Sequence, residues 1–300
     1  MSSDIVSFTK DFIVGGVSAT IAKTIIAPIE RIKLILQVQH GSEQITKSQR
    51  YKGIIDAATR IPAEQGFLSL WRGNLTNIFR YFPTQAFNFA FKDKYKTIFL
   101  HDIDKDKQLW RFFLGNLAAG GAAGATSALI VHPLDYARTR LSVDIGRTES
   151  ERLYKGLYDV MSQTVKSDGL SGLYRGLNAS LTGTMIYRSA YFGLYDTGKS
   201  IISETGKPSI IVTWMVAQAA ETFSGIMTYP LDTVKRRMMM QNGLEGSRNM
   251  YKNTVHCWTQ MYKLEGAKAF YRGALTNMIR GTGAALVLVL YDEIQVIVVK

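Results

Sequence analysis

One grammar is written three times along this chain, and that repetition constrains its fold more than any other property. Pro-x-acid-x-x-base occurs at Pro28-Ile29-Glu30-Arg31-Ile32-Lys33, at Pro133-Leu134-Asp135-Tyr136-Ala137-Arg138 and at Pro230-Leu231-Asp232-Thr233-Val234-Lys235, spaced 105 and 97 residues apart. A Gly-x-x-x-x-aromatic-Arg-Gly motif recurs in step, ending at Trp71-Arg72-Gly73, Tyr174-Arg175-Gly176 and Tyr271-Arg272-Gly273, at spacings of 103 and 97. Tyr51-Lys52-Gly53, Tyr154-Lys155-Gly156 and Tyr251-Lys252-Asn253 keep those same two spacings. Three motifs in one register mean three copies of one structural unit, with boundaries expected at 1–106, 107–204 and 205–300.

Each unit reads alike. An apolar stretch (roughly 8–38, 111–142 and 209–240) carries the Pro motif near its end. A polar linker with a short amphipathic helix follows (about 53–64, 156–167 and 253–264), then the aromatic-Arg-Gly turn and a second apolar helix (about 74–99, 177–200 and 274–298). Residues 112–134 hold no Asp, Glu, Lys or Arg, a run long enough at about 1.5 Å per residue to cross a hydrocarbon core of about 30 Å. Small residues crowd the first helices, as at Gly15-Gly16 and Gly120-Gly121, and in membranes these let helix backbones approach closely. The expected fold is an all-α membrane protein with six transmembrane helices in three pseudo-threefold repeats, each with a short amphipathic helix. An even number of spans puts both termini on one side and the Lys- and Arg-containing linkers on the other, inner side. The alternative is a soluble protein with buried helices. Aromatic residues at the helix ends (Tyr81, Phe82, Phe99, Trp110, Trp214) favour the membrane.

Composition narrows the partners. A net charge of +12 over 300 residues suits nucleic acid, an anionic membrane surface or an anionic small molecule. Basic residues dispersed among apolar helices argue against nucleic acid. Cys257 is the only cysteine, which excludes an intrachain disulfide framework, and His101, His132 and His256 lack ligand spacing, so no metal is expected. The opening MSSDIVSFTKDF has neither a secretory nor a transit signature, so targeting information is expected to be internal. Residues 193–200, GLYDTGKS, match the phosphate-loop pattern. That loop needs a preceding strand, and the other two units read as continuous helix there, so an enzyme is not expected.

The constant offset lets positions be compared between units. Arg80 maps onto Gly183 and then onto Arg280, so one ring in the second helices carries two arginines and a glycine. Ionisable groups at mid-membrane depth cost several kcal/mol unless they face water or a partner, so the reading is functional. The arginine pair, with Lys23 and Arg188 near in depth, suits a polyanion such as a phosphate ester. Glu30, Asp135 and Asp232 with Lys33, Arg138 and Lys235 can close one ring of ion pairs. A second set lies at the far end of the even helices: Asp93 and Lys96, Asp196 and Lys199, Asp292 and Gln295. Two charge rings with cations between them look like two gates around a site.

These residues resemble the mitochondrial carrier family over essentially the whole chain. The triplicate Pro motif carries the likeness, as do the stretches PIERIKLILQVQ, RYFPTQAFNFAFKDKYK and LVLYDEI. Lys235-Arg236-Arg237-Met238-Met239-Met240 resembles the Arg-Arg-Arg-Met-Met-Met signature of the family's ADP- and ATP-exchanging members, differing in its first residue. The resemblance implies electrogenic one-for-one exchange of ADP for ATP across the mitochondrial inner membrane, by alternating access through one central site in a working monomer, with both termini towards the intermembrane space. Phosphate binding would fall to Lys23, Arg80 and Arg280, assisted by Arg236. Gly183, Thr184, Tyr187 and Asn88 would form the adenine side. A matrix gate would pair Glu30 with Arg138, Asp135 with Lys235 and Asp232 with Lys33, braced by Gln37. A cytoplasmic gate would pair Asp93 with Lys199 and Asp292 with Lys96. Structural cardiolipin would sit at Gly53, Gly73, Gly156, Gly176 and Gly273; no cofactor is implied.

Three residues depart from the family pattern. Gln295 stands where Lys is usual, which leaves Asp196 without a charged partner and implies a weaker cytoplasmic gate. Thr184 replaces an aliphatic residue, and Glu221 is an acid where a small or hydroxyl residue is usual. The rival functions are carriage of another nucleotide or anion and a fatty-acid-assisted proton leak, both open to the same fold.

Overall fold

In the computed structural model of the chain the described residues are 2–40, 42, 45–101, 108–146, 151–203, 210–241 and 251–278, and no strand occurs among them. The long helices are α1 (Ser2–Val38), α3 (Asn74–Phe99), α4 (Leu109–Val143), α6 (Leu177–Ser203) and α7 (Ile210–Met239); the short ones are α2 (Ile54–Gln65), α5 (Leu157–Asp168) and α8 (Thr254–Glu265). Residues 274–278 are helical, and the rest of the expected 274–298 helix lies outside the described residues. Residues 193–200 are continuous helix within α6, so the phosphate-loop pattern has neither its strand nor its loop.

The short helices show how the repeat is built. Each buries two residues four apart, Ala57 and Ile61, Val160 and Thr164, Cys257 and Met261, and these correspond under the 103 and 97 offsets. Each ends at a glycine with positive φ, Gly66, Gly169 or Gly266, a backbone conformation that glycine adopts without steric cost. A 3₁₀ turn then leads into the next long helix. At the start, the backbone N–H of Tyr51, Tyr154 and Tyr251 donates to Gln39 Oε1 (2.8 Å), Asp144 Oδ2 (3.4 Å) and Gln241 Oε1 (2.8 Å). One further N–H along, that of Lys52 donates to Asp56 at 2.8 Å and holds its carboxyl below the usual range. Three hydrophobic cores result, one per unit, at the linker end of the bundle. Ile35, Val38 and Ile61 belong to the first, Tyr136, Val160 and Leu173 to the second, and Val234, Met261 and Phe270 to the third.

Helix α3 packs along α4, and α6 along α7, while α1, α4 and α7 touch one another pairwise. The Pro28, Pro133 and Pro230 positions lie inside these three helices. Among the described residues no helix is long and apolar enough to cross a membrane. Lys23, Arg80, Arg188 and Glu221 interrupt the apolar faces, and the uncharged run at 112–134 is diluted by Gly, Ala and Asn.

The units join in a cycle. Gly73, Gly176 and Gly273 have φ of +83°, +79° and +83°, and each presses on the next unit's long helix. A Cβ on Gly73 would collide with Ser142 of α4. On Gly176 it would lie 2.9 Å from the Lys235 carbonyl oxygen of α7, and on Gly273 2.9 Å from Tyr229 Oη and 3.3 Å from the Lys33 carbonyl oxygen of α1. Arg72 reinforces the first junction by donating to the carbonyls of Asp144 and Gly146, and Arg175 the second through that of Gln241. At the third, Arg272 pairs instead with Glu265 of its own unit, which Arg237 also meets at 2.8 Å. Burial, then the Arg272 charge, push the His40 imidazole down to about 4 there.

Candidate functional site

Where α1, α4 and α7 meet, the Pro motif places an acid and a base three residues apart on each helix, so each helix offers both signs at one depth. Arg138 pairs with Glu30, joining α4 to α1. Lys235 Nζ lies 2.6 Å from Asp135 Oδ2, joining α7 to α4, and Lys33 Nζ lies 3.0 Å from Asp232 Oδ2, joining α1 to α7. Gln37, fully buried, underlies the last pair: its Nε2 donates to Asp232 Oδ2 (3.2 Å) and Thr233 Oγ1 (3.0 Å).

Two further cations enter this ring. Arg236 lies 3.5 Å from both Asp135 and Asp232 and donates to the Thr139 hydroxyl. Arg80 Nε reaches to 3.9 Å from Asp135. Three carboxylates thus face five cations, and the surplus leaves a positive field at this end of the bundle, suited to a polyanion. Arg236, expected to assist phosphate binding, is committed to the ring here, with its side chain only 11% exposed.

Above the ring lies a cavity of about 240 Å³. Lys33, Asp232 and Lys235 form its floor, and Gly183, Thr184 and Tyr187 of α6 line its wall. Gly183 leaves the wall flat, with Leu231 3.4 Å from where a Cβ would stand. The Thr184 hydroxyl donates to the Ser180 carbonyl at 2.8 Å, so it can offer the cavity only a methyl group and acceptor lone pairs. The Tyr187 ring stacks at 6.2 Å on Tyr191, which stacks at 6.0 Å on Tyr195. A second cavity of about 100 Å³ holds Gln218, Glu221 and Thr222 and shares Tyr187, Gly225, Tyr229 and Asn277 with the first.

Other expected site residues are spread more widely. Lys23 Nζ sits over the Tyr81 ring, 5.0 Å from its centroid, and Arg188 donates to the Gly120 carbonyl at 3.4 Å. Arg237 is buried against Glu265, and Met239 is fully buried in the second core. Met238 packs on the third core and Met240 on the first. Asp93 and Lys96 are exposed on α3. Asn88, Asp196 and Lys199 lie in helices, but their side chains fall outside the described residues, as do Arg280, Asp292 and Gln295 altogether. Gly53 and Gly156 cap α2 and α5 with extended backbone and open space where a Cβ would stand. Asn253, their counterpart, caps α8 with its side chain, which accepts from the His256 N–H at 2.8 Å.

Sequence reasoning missed a tier between ring and cavity. Asn277 Oδ1 accepts from Lys33 Nζ at 2.9 Å, Asn77 Nδ2 donates to Glu30 at 3.1 Å, and Ser180 lines the larger cavity. Asn77, Ser180 and Asn277 are one position under the 103 and 97 offsets, the signal that could have found them. Tyr229 was also passed over; it lines both cavities, and Lys33 Nζ lies 5.2 Å from its ring centroid.

Among the described residues no group of His, Cys, Asp and Glu could hold a metal ion. A family model described as mitochondrial carrier protein matches residues 5–103, 109–206 and 206–300. ADP/ATP translocase 3 of Bos taurus is 57% identical over 298 residues, 99% of this chain and 100% of that protein. ADP/ATP translocase 2 of Rattus norvegicus is 58% identical over 295 residues, 98% and 99% of the two chains. ADP/ATP translocase 3 of Homo sapiens is 55% identical over 298 residues, again 99% and 100%. With three matches laid end to end on its three units and relatives aligned over nearly their whole length, the chain belongs to the mitochondrial carrier family.

Proposed function

We propose that this protein exchanges ADP for ATP across the mitochondrial inner membrane, by alternating access through the central cavity. The observation that carries the reading is the 55–58% identity to proteins named ADP/ATP translocases over almost every residue. The site fits that cargo: a cationic floor for phosphates beside the flat wall at Gly183 and the Tyr187 ring for a base. Lys23, Arg80 and Arg280 are the phosphate contacts in this reading, and Gly183, Thr184, Tyr187 and Asn88 the adenine side.

In this reading the ring that joins α1, α4 and α7 is the matrix gate, a role supported by the ion pairs that link the three helices. Opening requires the substrate's negative charge to compete for Lys33, Arg80 and Lys235, which is how binding and gating are coupled. The set of Asp93, Lys96, Asp196, Lys199, Asp292 and Gln295 would close the opposite side. Six membrane spans, termini towards the intermembrane space, a working monomer and cardiolipin phosphates at the helix N-termini by Gly53, Gly73, Gly156, Gly176 and Gly273 complete the reading.

In liposomes loaded with ADP, external ADP or ATP should drive uptake, while AMP, phosphate and carboxylates should not; equal uptake of those would sink the assignment. Uptake that needs no internal nucleotide, or proton flux with fatty acid alone, would favour the rival carriers.

A further inference from the structure

A nucleotide has no threefold symmetry, so a site built from three similar units can orient it only through residues that break the repeat. Gly183 is one such residue; Glu221 is another. Counting nine residues back from each repeat's proline gives Ala19, Gly124 and Glu221, so two units carry at most a methyl group where the third carries a carboxylate. Glu221 shares one face of α7 with Gly225, Thr228 and Asp232, spaced four, seven and eleven residues on. The last three all line the larger cavity, and Glu221 lines the smaller one beyond it. Gly225 separates them with no side chain, and the nearest atom to a Cβ there, Asn277 Nδ2, is 3.8 Å away. Tyr187, in the wall of both cavities, offers a ring on which a base can stack, and Gln218, Thr222 and Asn277 add polar atoms around the smaller one.

A carboxylate here repels phosphates and accepts hydrogen bonds. Phosphates held at the cationic floor therefore leave the base end for Glu221. We propose that Glu221 is a base-selecting residue, whose carboxylate accepts from the N–H donors on the edge of a purine. Adenine offers one exocyclic amine. Guanine offers two adjacent donors, a ring N–H and an amine, which match the two carboxylate oxygens, so the site admits guanosine diphosphate alongside adenosine diphosphate. The proposal rests on the nucleotide-exchange reading and adds the choice of base.

The test is uptake of labelled ADP, GDP and IDP into ADP-loaded proteoliposomes, for the unaltered protein and for Glu221→Gln, which keeps shape and removes charge and one acceptor. The unaltered protein should take up GDP. In Glu221→Gln, ADP uptake should fall a few-fold, GDP uptake by roughly tenfold more, as expected for loss of a charge-assisted hydrogen bond, and IDP, with one of the two donors, should fall between them. No GDP uptake by the unaltered protein, or a GDP-to-ADP ratio unchanged by Glu221→Gln, overturns the proposal. If the unaltered protein takes up no ADP, it is the ADP/ATP reading that fails.

Discussion

The Lys33–Asp232 pair closes the ring between the first and third units, and a double-mutant cycle measures that closure. At 3.0 Å two unit charges attract by about 5 kcal/mol at an effective dielectric near 20. Desolvation offsets part of this, and the Asp232 side chain, 28% exposed, is screened further. Each partner also keeps other contacts when its mate is lost, Lys33 with Asn277 and Asp232 with Arg236 and Gln37. The coupling left to measure is about 2 kcal/mol, on the order of 4 °C in melting temperature for a chain of this size. Lys33→Ala and Asp232→Ala should each destabilise, and the double variant should melt well above the sum of the two losses. Cys257 provides the assay: it is the sole cysteine, and burial pushes its thiol up to about 12, so a fluorogenic maleimide labels it only on unfolding. Losses that add to within about 0.5 kcal/mol would refute the claim that the two charges act on each other.

Two further outcomes test other parts of the structure. Gly176→Ala should cost several kcal/mol, because it adds a contact 2.9 Å from the Lys235 carbonyl to the strain of positive φ, whereas Gly169→Ala, with φ of +68° and open space, should cost only the backbone strain of about 1–3 kcal/mol; equal melting temperatures would show that the close approach adds nothing at the junction. His40, pushed down to about 4, is neutral in the folded protein where the unfolded chain already binds a proton, so stability should fall as pH drops from about 6.5 towards 4. Above that window it should be flat, and His40→Gln should shrink the slope in melting curves taken across it.

The repeat made most of the architecture legible, because spacing survives where local composition misleads. The short helices fell within a residue of the expected 53–64, 156–167 and 253–264, since Gly66, Gly169 and Gly266 punctuate them. The ring was legible for a similar reason: an acid and a base three residues apart, repeated three times, have few partners but each other. The Asn77, Ser180 and Asn277 tier was not read, although the 103 and 97 offsets align it, because neutral polar side chains in a helix gain meaning only from the charges beside them. Sequence alone did not show that Arg236 also joins the ring, because its contact with Asp232 lies within one helix while its reach to Asp135 crosses between two. The structure turns Arg236 to the ring and Arg237 to Glu265.

The cycle of close approaches has a consequence for how the chain reaches this state. The junctions at Gly73 and Gly176 join segments about 60–70 residues apart, whereas that at Gly273 meets Lys33 across 240 residues. Chain entropy rises only slowly with loop length, so the last contact is late rather than costly. During synthesis the first two units can dock, with Glu30 already matched to Arg138, while Lys33 and Asp135 wait for partners from the third unit. A chain stopped before residue 230 lacks Asp232 and Lys235, so Lys33 has lost its ring carboxylate and Asp135 keeps Arg80 at 3.9 Å but not its closest cation. The seam between the first and third units is therefore one that only a chain carrying all three repeats can close.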